Sequence, residues 1–191
     1  SDPALKSRLI TAVEGVAGKP VPPKVSENGD LRFEFAGPDQ GRAIGAAISA
    51  RLVEAGAIVT IADLDPAAAP EVERIGAELV VCDVAAADQL RNAADQAANN
   101  AGLDIVVNNA GIFPTTGPLT QVTDEFVHRM LDINVRAQFS ATREAAVRMP
   151  NGGSIINLAS IAALGGGANI SAYAASKAAV IALTSASANE L

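Results

Sequence analysis

Four short, mainly apolar runs, at 58–62, 79–82, 105–107 and 154–158, alternate with segments whose apolar residues recur at helical spacing. Strands that are apolar on successive residues must be covered on both faces. Parallel strands obtain that cover from the crossover helices that join them. The chain is therefore expected to adopt an α/β fold, a doubly wound parallel sheet. Helices are expected over 44–55 and 86–101. A long helix should be capped by Thr123, and its first residues, Asp124 and Glu125, suit a positive helix end. A last helix should open at Ser171 and run towards Leu191.

The first thirty residues read differently. Leu5, Leu9, Val13 and Val16 have a helical spacing. Gly18-Lys19-Pro20-Val21-Pro22-Pro23 reads as a linker, and Asn28-Gly29 as a turn. Residues 1–30 are thus expected to be an N-terminal extension and linker, packed on the domain or on another subunit, ahead of a domain over 31–191. Within that domain, 31–36 is the candidate first strand. Its alternating charges suit a central parallel strand poorly, and part of the first strand is expected to be missing.

Composition narrows the function. Apolar residues make up 49% of 191 residues, enough for one globular core. A formal charge of −7 disfavours a nucleic-acid surface, which needs a positive field. No apolar run has the length of a membrane span, and no signal peptide is visible. One cysteine and one histidine exclude an internal disulfide and offer no metal cluster. A cytoplasmic setting is the default.

Chemistry-bearing residues cluster near the expected strand ends. Gly37-Pro38-Asp39-Gln40-Gly41-Arg42-Ala43-Ile44-Gly45 precedes a helix. Glycines there permit a tight turn and close approach of a pyrophosphate, which the helix N-terminus attracts. A Gly-Pro turn before a helix is also ordinary. Asp63 ends one strand, where a carboxylate can take both ribose hydroxyls, and Asp83 follows another; both positions equally suit helix caps. Tyr173 and Lys177 lie four residues apart on one helix face. A phenol has an intrinsic pKa of about 10 and is a poor acid–base catalyst unaided, but an adjacent cation favours the phenolate. The hydroxyl of Ser160, past a buried strand, is placed to hold a substrate oxygen.

Taken together, the glycine loop, Asp63, Asp83-Val84, Asn108-Asn109-Ala110-Gly111, Asn134, Ser160 and Tyr173-Ala174-Ala175-Ser176-Lys177 resemble the short-chain dehydrogenase/reductase family, in its 3-oxoacyl reductase-like form, over about residues 37–191. The resemblance implies a Rossmann-type sheet and hydride transfer between a nicotinamide cofactor and a carbonyl or secondary alcohol. It implies Tyr173 as general acid or base and as a cofactor contact, Lys177 beside it on the nicotinamide ribose, and Ser160 orienting the substrate oxygen. Asn134 would kink its helix and hold a water in a proton relay. Gly37, Gly41, Ile44 and Gly45 would cradle phosphates. Asp83 and Val84 would meet adenine, and Asn109, Ala110 and Gly111 would border the adenosine ribose. NAD is expected in preference to NADP because Asp63 repels a 2′-phosphate, although Arg42 is a contrary sign. The partner is a small ketone or alcohol, and a homodimer or homotetramer is implied.

Three departures qualify the likeness. Ala43 stands where the loop normally has glycine, with Gly37 two residues early. The first strand reads poorly. The chain stops at Leu191, whereas family members continue, so a fragment or joined segments are expected. Other residues have plain readings: His128 on a helix surface, Cys82 in the core, Asp132 a surface charge, Gly165-Gly166-Gly167 a substrate loop or flexible turn. Ile112, Phe113 and Pro114 either border the nicotinamide or pack. Ser176 is rejected as a nucleophile for want of a nearby histidine. The competing functions are a nucleotide-binding protein without turnover and a relative performing epimerisation or dehydration with bound NAD.

Overall fold

A computed structural model describes residues 8–13, 24–25, 31–32, 40–99, 101–114 and 117–191. Five parallel strands form the main sheet: β1 (Arg8–Val13), β4 (Ile58–Asp63), β5 (Glu78–Val81), β6 (Ile105–Asn108) and β7 (Ser154–Asn157), in the order β5-β4-β1-β6-β7. A separate antiparallel pair joins β2 (Lys24–Val25) to β3 (Leu31–Arg32). The doubly wound parallel architecture is as expected.

The origin of the first strand is a correction. Arg8–Val13, expected in a helical arm, is the central strand, with Thr11 opposite Ile61 on one side and Val107 on the other. Residues 1–30 are therefore not wholly an extension outside the sheet. The Leu5–Leu9–Val13 spacing misled because Leu9-Ile10-Thr11-Ala12-Val13 is also a continuous run of apolar and β-branched residues, which suits a strand covered on both faces. Of the expected strand 31–36, Leu31–Arg32 pairs only with β2, and the rest lies outside the described residues.

Along a strand, successive side chains face opposite layers. Val59, Ile61 and Val107 pack with Ile48, Leu52 and Val53 of α1 (Gln40–Glu54) and Val72 of α2 (Ala69–Ile75). Ala62, Cys82 and Val84 face Leu90 and Ala93 of α3 (Ala87–Ala98) and Ala137 of α5 (Ala137–Ala146). Alanines at 93, 94, 97, 98 and 145 let α3 and α5 lie close to the sheet. Each fully buried Val or Ile contributes about 1.5–3 kcal/mol. The helix α2 was not foreseen; it ends at Gly76, whose φ of 84° places it in the left-handed region that favours glycine.

Helix α4 (Asp124–Leu131) starts where expected, the Thr123 hydroxyl accepting from the Phe126 N–H at 3.2 Å. It continues through a π-helical turn, Asp132–Arg136, into α5. After β7 come the short α6 (Ala162–Gly165) and the long α7 (Ser171–Glu190). The strand order reverses between β1 and β6, so the carboxyl ends of Val13, Asp63 and Asn108 sit side by side at the switch point, where sheets of this type open a ligand crevice.

Candidate active site

Two clusters occupy this carboxyl edge. The first centres on α7. One helical turn separates Tyr173 from Lys177, so both project from one face. Lys177 is 5% exposed, and its ammonium donates to the Leu158 carbonyl at 2.8 Å, just past β7. Burial lowers its pKa from 10.5 to about 8. A Cβ built on Gly111 would lie 3.3 Å from Lys177 Nζ and 3.1 Å from Asn134 Oδ1. Glycine at 111 thus lets the loop after β6 close onto both side chains. Ser160, two residues beyond Leu158, is half-buried, and its Oγ accepts from the Ala162 N–H at 3.2 Å, shaping the entry to α6.

Asn134 lies in the π-helical turn and is fully buried. Its Oδ1 accepts from Ile112 N–H at 2.8 Å. Its Nδ2 hydrogens are shared among the Ile112 carbonyl at 3.0 Å, Ser176 Oγ at 3.1 Å and Met130 Sδ at 3.0 Å. The kink expected from the resemblance is thus a π turn, a feature often found at functional positions. The amide braces the loop after β6 against α7, and its hydrogens are committed to protein acceptors. Asn134→Ala leaves Ile112 N–H and the Ser176 hydroxyl short of partners in a buried setting. It is expected to cost about 2–4 kcal/mol, read as a lower urea midpoint at unchanged slope.

The second cluster joins α1 to β4. Asp63 is 2% exposed. Its Oδ1 accepts from Asp65 N–H at 2.9 Å and lies 3.5 Å from Arg42 Nη2. The same Nη2 donates to Asp65 Oδ2 at 3.1 Å. Burial is the largest influence on the Asp63 carboxyl and raises its pKa, opposed by the Asp65 N–H and by Arg42. Arg42 Nε is buried without a hydrogen-bond partner. Asn109 Nδ2 donates to the Gly41 carbonyl at 2.8 Å, fixing the start of α1 to the end of β6.

The remaining expected residues divide. Gly37 lies outside the described residues. Gly41, Ile44 and Gly45 lie in α1, Ile44 and Gly45 at the start of the helix expected over 44–55 and Gly41 just ahead of it. Gly41 is in the first turn of α1. Ile44 and Gly45 come later, where N–H groups bond within the helix. Asp83 Oδ1 accepts from Ala85 N–H at 2.8 Å, an Asx turn leading into α3. The Val84 side chain belongs to the core, so only its backbone can meet a base. Ala110 is core as well, while Asn108 donates to Asn157 Oδ1 at 2.7 Å across the sheet end. His128 and Asp132 are exposed, and Cys82 is buried. Two features escaped the sequence reading. Ser176 is the acceptor for Asn134, and the Phe113 ring lies 4.3 Å from that of Tyr173. The i,i+3 spacing of Tyr173 and Ser176 was the available signal for the first.

These residues fit a dinucleotide: a buried carboxylate at a strand end, an unpartnered guanidinium Nε, and a glycine approach beside a buried ammonium. Among the described residues no group of His, Cys, Asp or Glu converges on a metal position, and no helix is long and apolar enough to cross a membrane.

Known proteins share this fold. A family model described as enoyl-(acyl carrier protein) reductase matches residues 37–191. The (5R,7aS)-5-hydroxy-7a-methyl-1-oxo-2,3,5,6,7,7a-hexahydro-1H-indene-carboxyl-CoA reductase of Mycobacterium tuberculosis is 40% identical over 163 residues, covering 78% of this chain and 61% of the relative. A short-chain dehydrogenase from Burkholderia cenocepacia in complex with NADP superposes with a TM-score of 0.77 at 34% identity, covering 97% of this chain and 69% of that one. NAD+-bound xylitol dehydrogenase superposes at 0.76 and 26% identity, covering 97% and 66%. The chain spans 58% to 61% of the length of the first curated relatives it matches.

Proposed function

The chain belongs to the short-chain dehydrogenase/reductase family, and on that premise we propose that it is part of an NAD(P)-dependent oxidoreductase acting on a small ketone or secondary alcohol. The observation that carries this reading is the buried Lys177 ammonium, one turn from Tyr173 and against Gly111, at the switch-point edge. The nucleotide, when bound, supplies or accepts the hydride. The protein's part is placement and the proton. Tyr173 gives a proton to the substrate oxygen in reduction and removes it in oxidation. Ser160 orients that oxygen and stabilises its developing charge. Lys177 contributes positive charge beside the phenol and donors to the nicotinamide ribose. Asn134 holds the loop after β6 in place.

NAD is the proposed cofactor. The Arg42, Asp63 and Asp65 cluster carries two carboxylates against one guanidinium, and Arg42 is already engaged by both acids. A 2′-phosphate would have to compete for it. Asp63→Ser is expected to move the NADP-to-NAD affinity ratio towards NADP by roughly tenfold, about 1.4 kcal/mol, measured by titration calorimetry. An unchanged ratio removes Asp63 as the determinant. A homo-oligomer is part of the proposal, supported by the exposed apolar residues Leu131, Phe139 and Val147 along α4 and α5.

Nicotinamide absorbance with a panel of ketones and alcohols tests the reading. Oxidation or reduction of the nucleotide supports it. Nucleotide binding without turnover of any panel member favours the competing reading, for which Ala43 in the glycine segment speaks.

A further inference from the structure

A helix fixes the Cα of a tyrosine but leaves its ring a choice of torsions. Around Tyr173, a ring contact from the loop after β6 narrows that choice. The Phe113 ring lies 4.3 Å away between centroids, tilted by 53°. Phe113 is in turn held through its neighbour, because Asn134 grips both the N–H and the carbonyl of Ile112. The same amide donates to Ser176 Oγ, and Ser176 Oγ donates to the Tyr173 main-chain carbonyl at 2.7 Å. The circuit is complete: Tyr173 ring, Phe113 ring, Ile112 backbone, Asn134 amide, Ser176 hydroxyl, Tyr173 backbone.

The two halves of this circuit differ in character. Asn134 and Ser176 are both 0% exposed, so their bonds lie where a missing partner is most costly. Phe113 is 49% exposed. The buried polar half anchors, and the half-open aromatic half sets the phenol ring.

We propose that Phe113 and Ser176 are positioning residues for Tyr173, holding its phenol in one orientation from the loop side and the helix side. The consequence for turnover rests on the oxidoreductase reading above, whereas the immobilisation of the ring does not.

The chain has one tyrosine and no tryptophan, so tyrosine fluorescence anisotropy and the tyrosine band of near-ultraviolet circular dichroism report Tyr173 alone. The test compares the full chain with Phe113→Ala, Phe113→Leu and Ser176→Ala, free of nucleotide, with far-ultraviolet spectra to confirm folding. Both Phe113 variants are expected to lose most of the near-ultraviolet tyrosine band and to show lower anisotropy. Ser176→Ala, where folded, should lie between them and the wild type. With NADH and any ketone of the panel that turns over, Phe113→Ala should lower kcat roughly 10- to 100-fold at unchanged KM. Bands that overlay the wild type in both Phe113 variants overturn the proposal whatever the activity. A raised KM at unchanged kcat also overturns it, making Phe113 a substrate wall instead. Lost bands in a chain whose wild type turns over no ketone would leave the proposal standing and sink the oxidoreductase reading.

Discussion

Tyr173→Phe is expected to lower kcat for ketone reduction by roughly 10²–10⁴-fold, the usual contribution of one positioned proton donor. The substitution removes a single oxygen. The ring remains, and with it the packing on Phe113. Asn134, Ser176 and Lys177 keep their partners, because Ser176 bonds the Tyr173 backbone and Lys177 bonds the Leu158 carbonyl. Nucleotide affinity should therefore change by no more than about twofold, since Lys177 and the rest of the site stay in place and only one hydroxyl contact is lost. Steady-state kinetics followed by nicotinamide absorbance, together with calorimetric titration of the nucleotide, checks both halves. A variant as active as the wild type would remove Tyr173 from the proton path.

Lys177→Met is expected to do two opposite things: abolish turnover and stabilise the nucleotide-free fold. The ammonium is buried, and burial lowers its pKa from 10.5 to about 8. Below about pH 8 the lysine is charged in both folded and unfolded chains, and the folded state bears the full cost of burying it. Between about pH 8 and 10.5 the unfolded chain holds a proton that the folded chain has released. Stability from this group therefore rises with pH across that window. The cost at pH 7 is about 3 kcal/mol. Methionine removes the charge but also the hydrogen bond to Leu158, so the net gain at pH 7 should be about 1–2 kcal/mol. Urea unfolding of both proteins at pH 7 and pH 10 measures it. The difference between variant and wild type should shrink as pH rises, and a difference that is constant or grows would show that the ammonium is not buried at a cost. Stability sacrificed at a functional position is a common pattern.

The architecture was largely legible in the sequence. The runs at 58–62, 79–82 and 105–107 are strands to within a residue or two because they are apolar on consecutive positions. Thr123 caps α4 for the local reason that its hydroxyl reaches the Phe126 N–H. Tyr173 and Lys177 share a face because four residues is close to one helical turn. The errors lie where the same letters fit two periods. Leu9 and Val13 satisfy a helix spacing, yet the segment between them is the middle of the sheet. The helix expected from Ile44 already includes Gln40. Gly41 and Gly45 are helical, and Asn109 fastens Gly41 to β6 from 68 positions away.

What the chain fixed locally was the alternation of strand and helix, the two-sided burial of the sheet, and the lysine one turn from a tyrosine. Each follows from side-chain periodicity and needs no distant partner. Tertiary structure alone decided that Arg8–Val13 fills the sheet centre, that Arg42 is held by Asp63 and Asp65, and that Asn134 ties Ile112 to Ser176. Those outcomes depend on hydrogen bonds and burial between residues far apart in sequence, and such partners exist only once the sheet has brought its strand ends together.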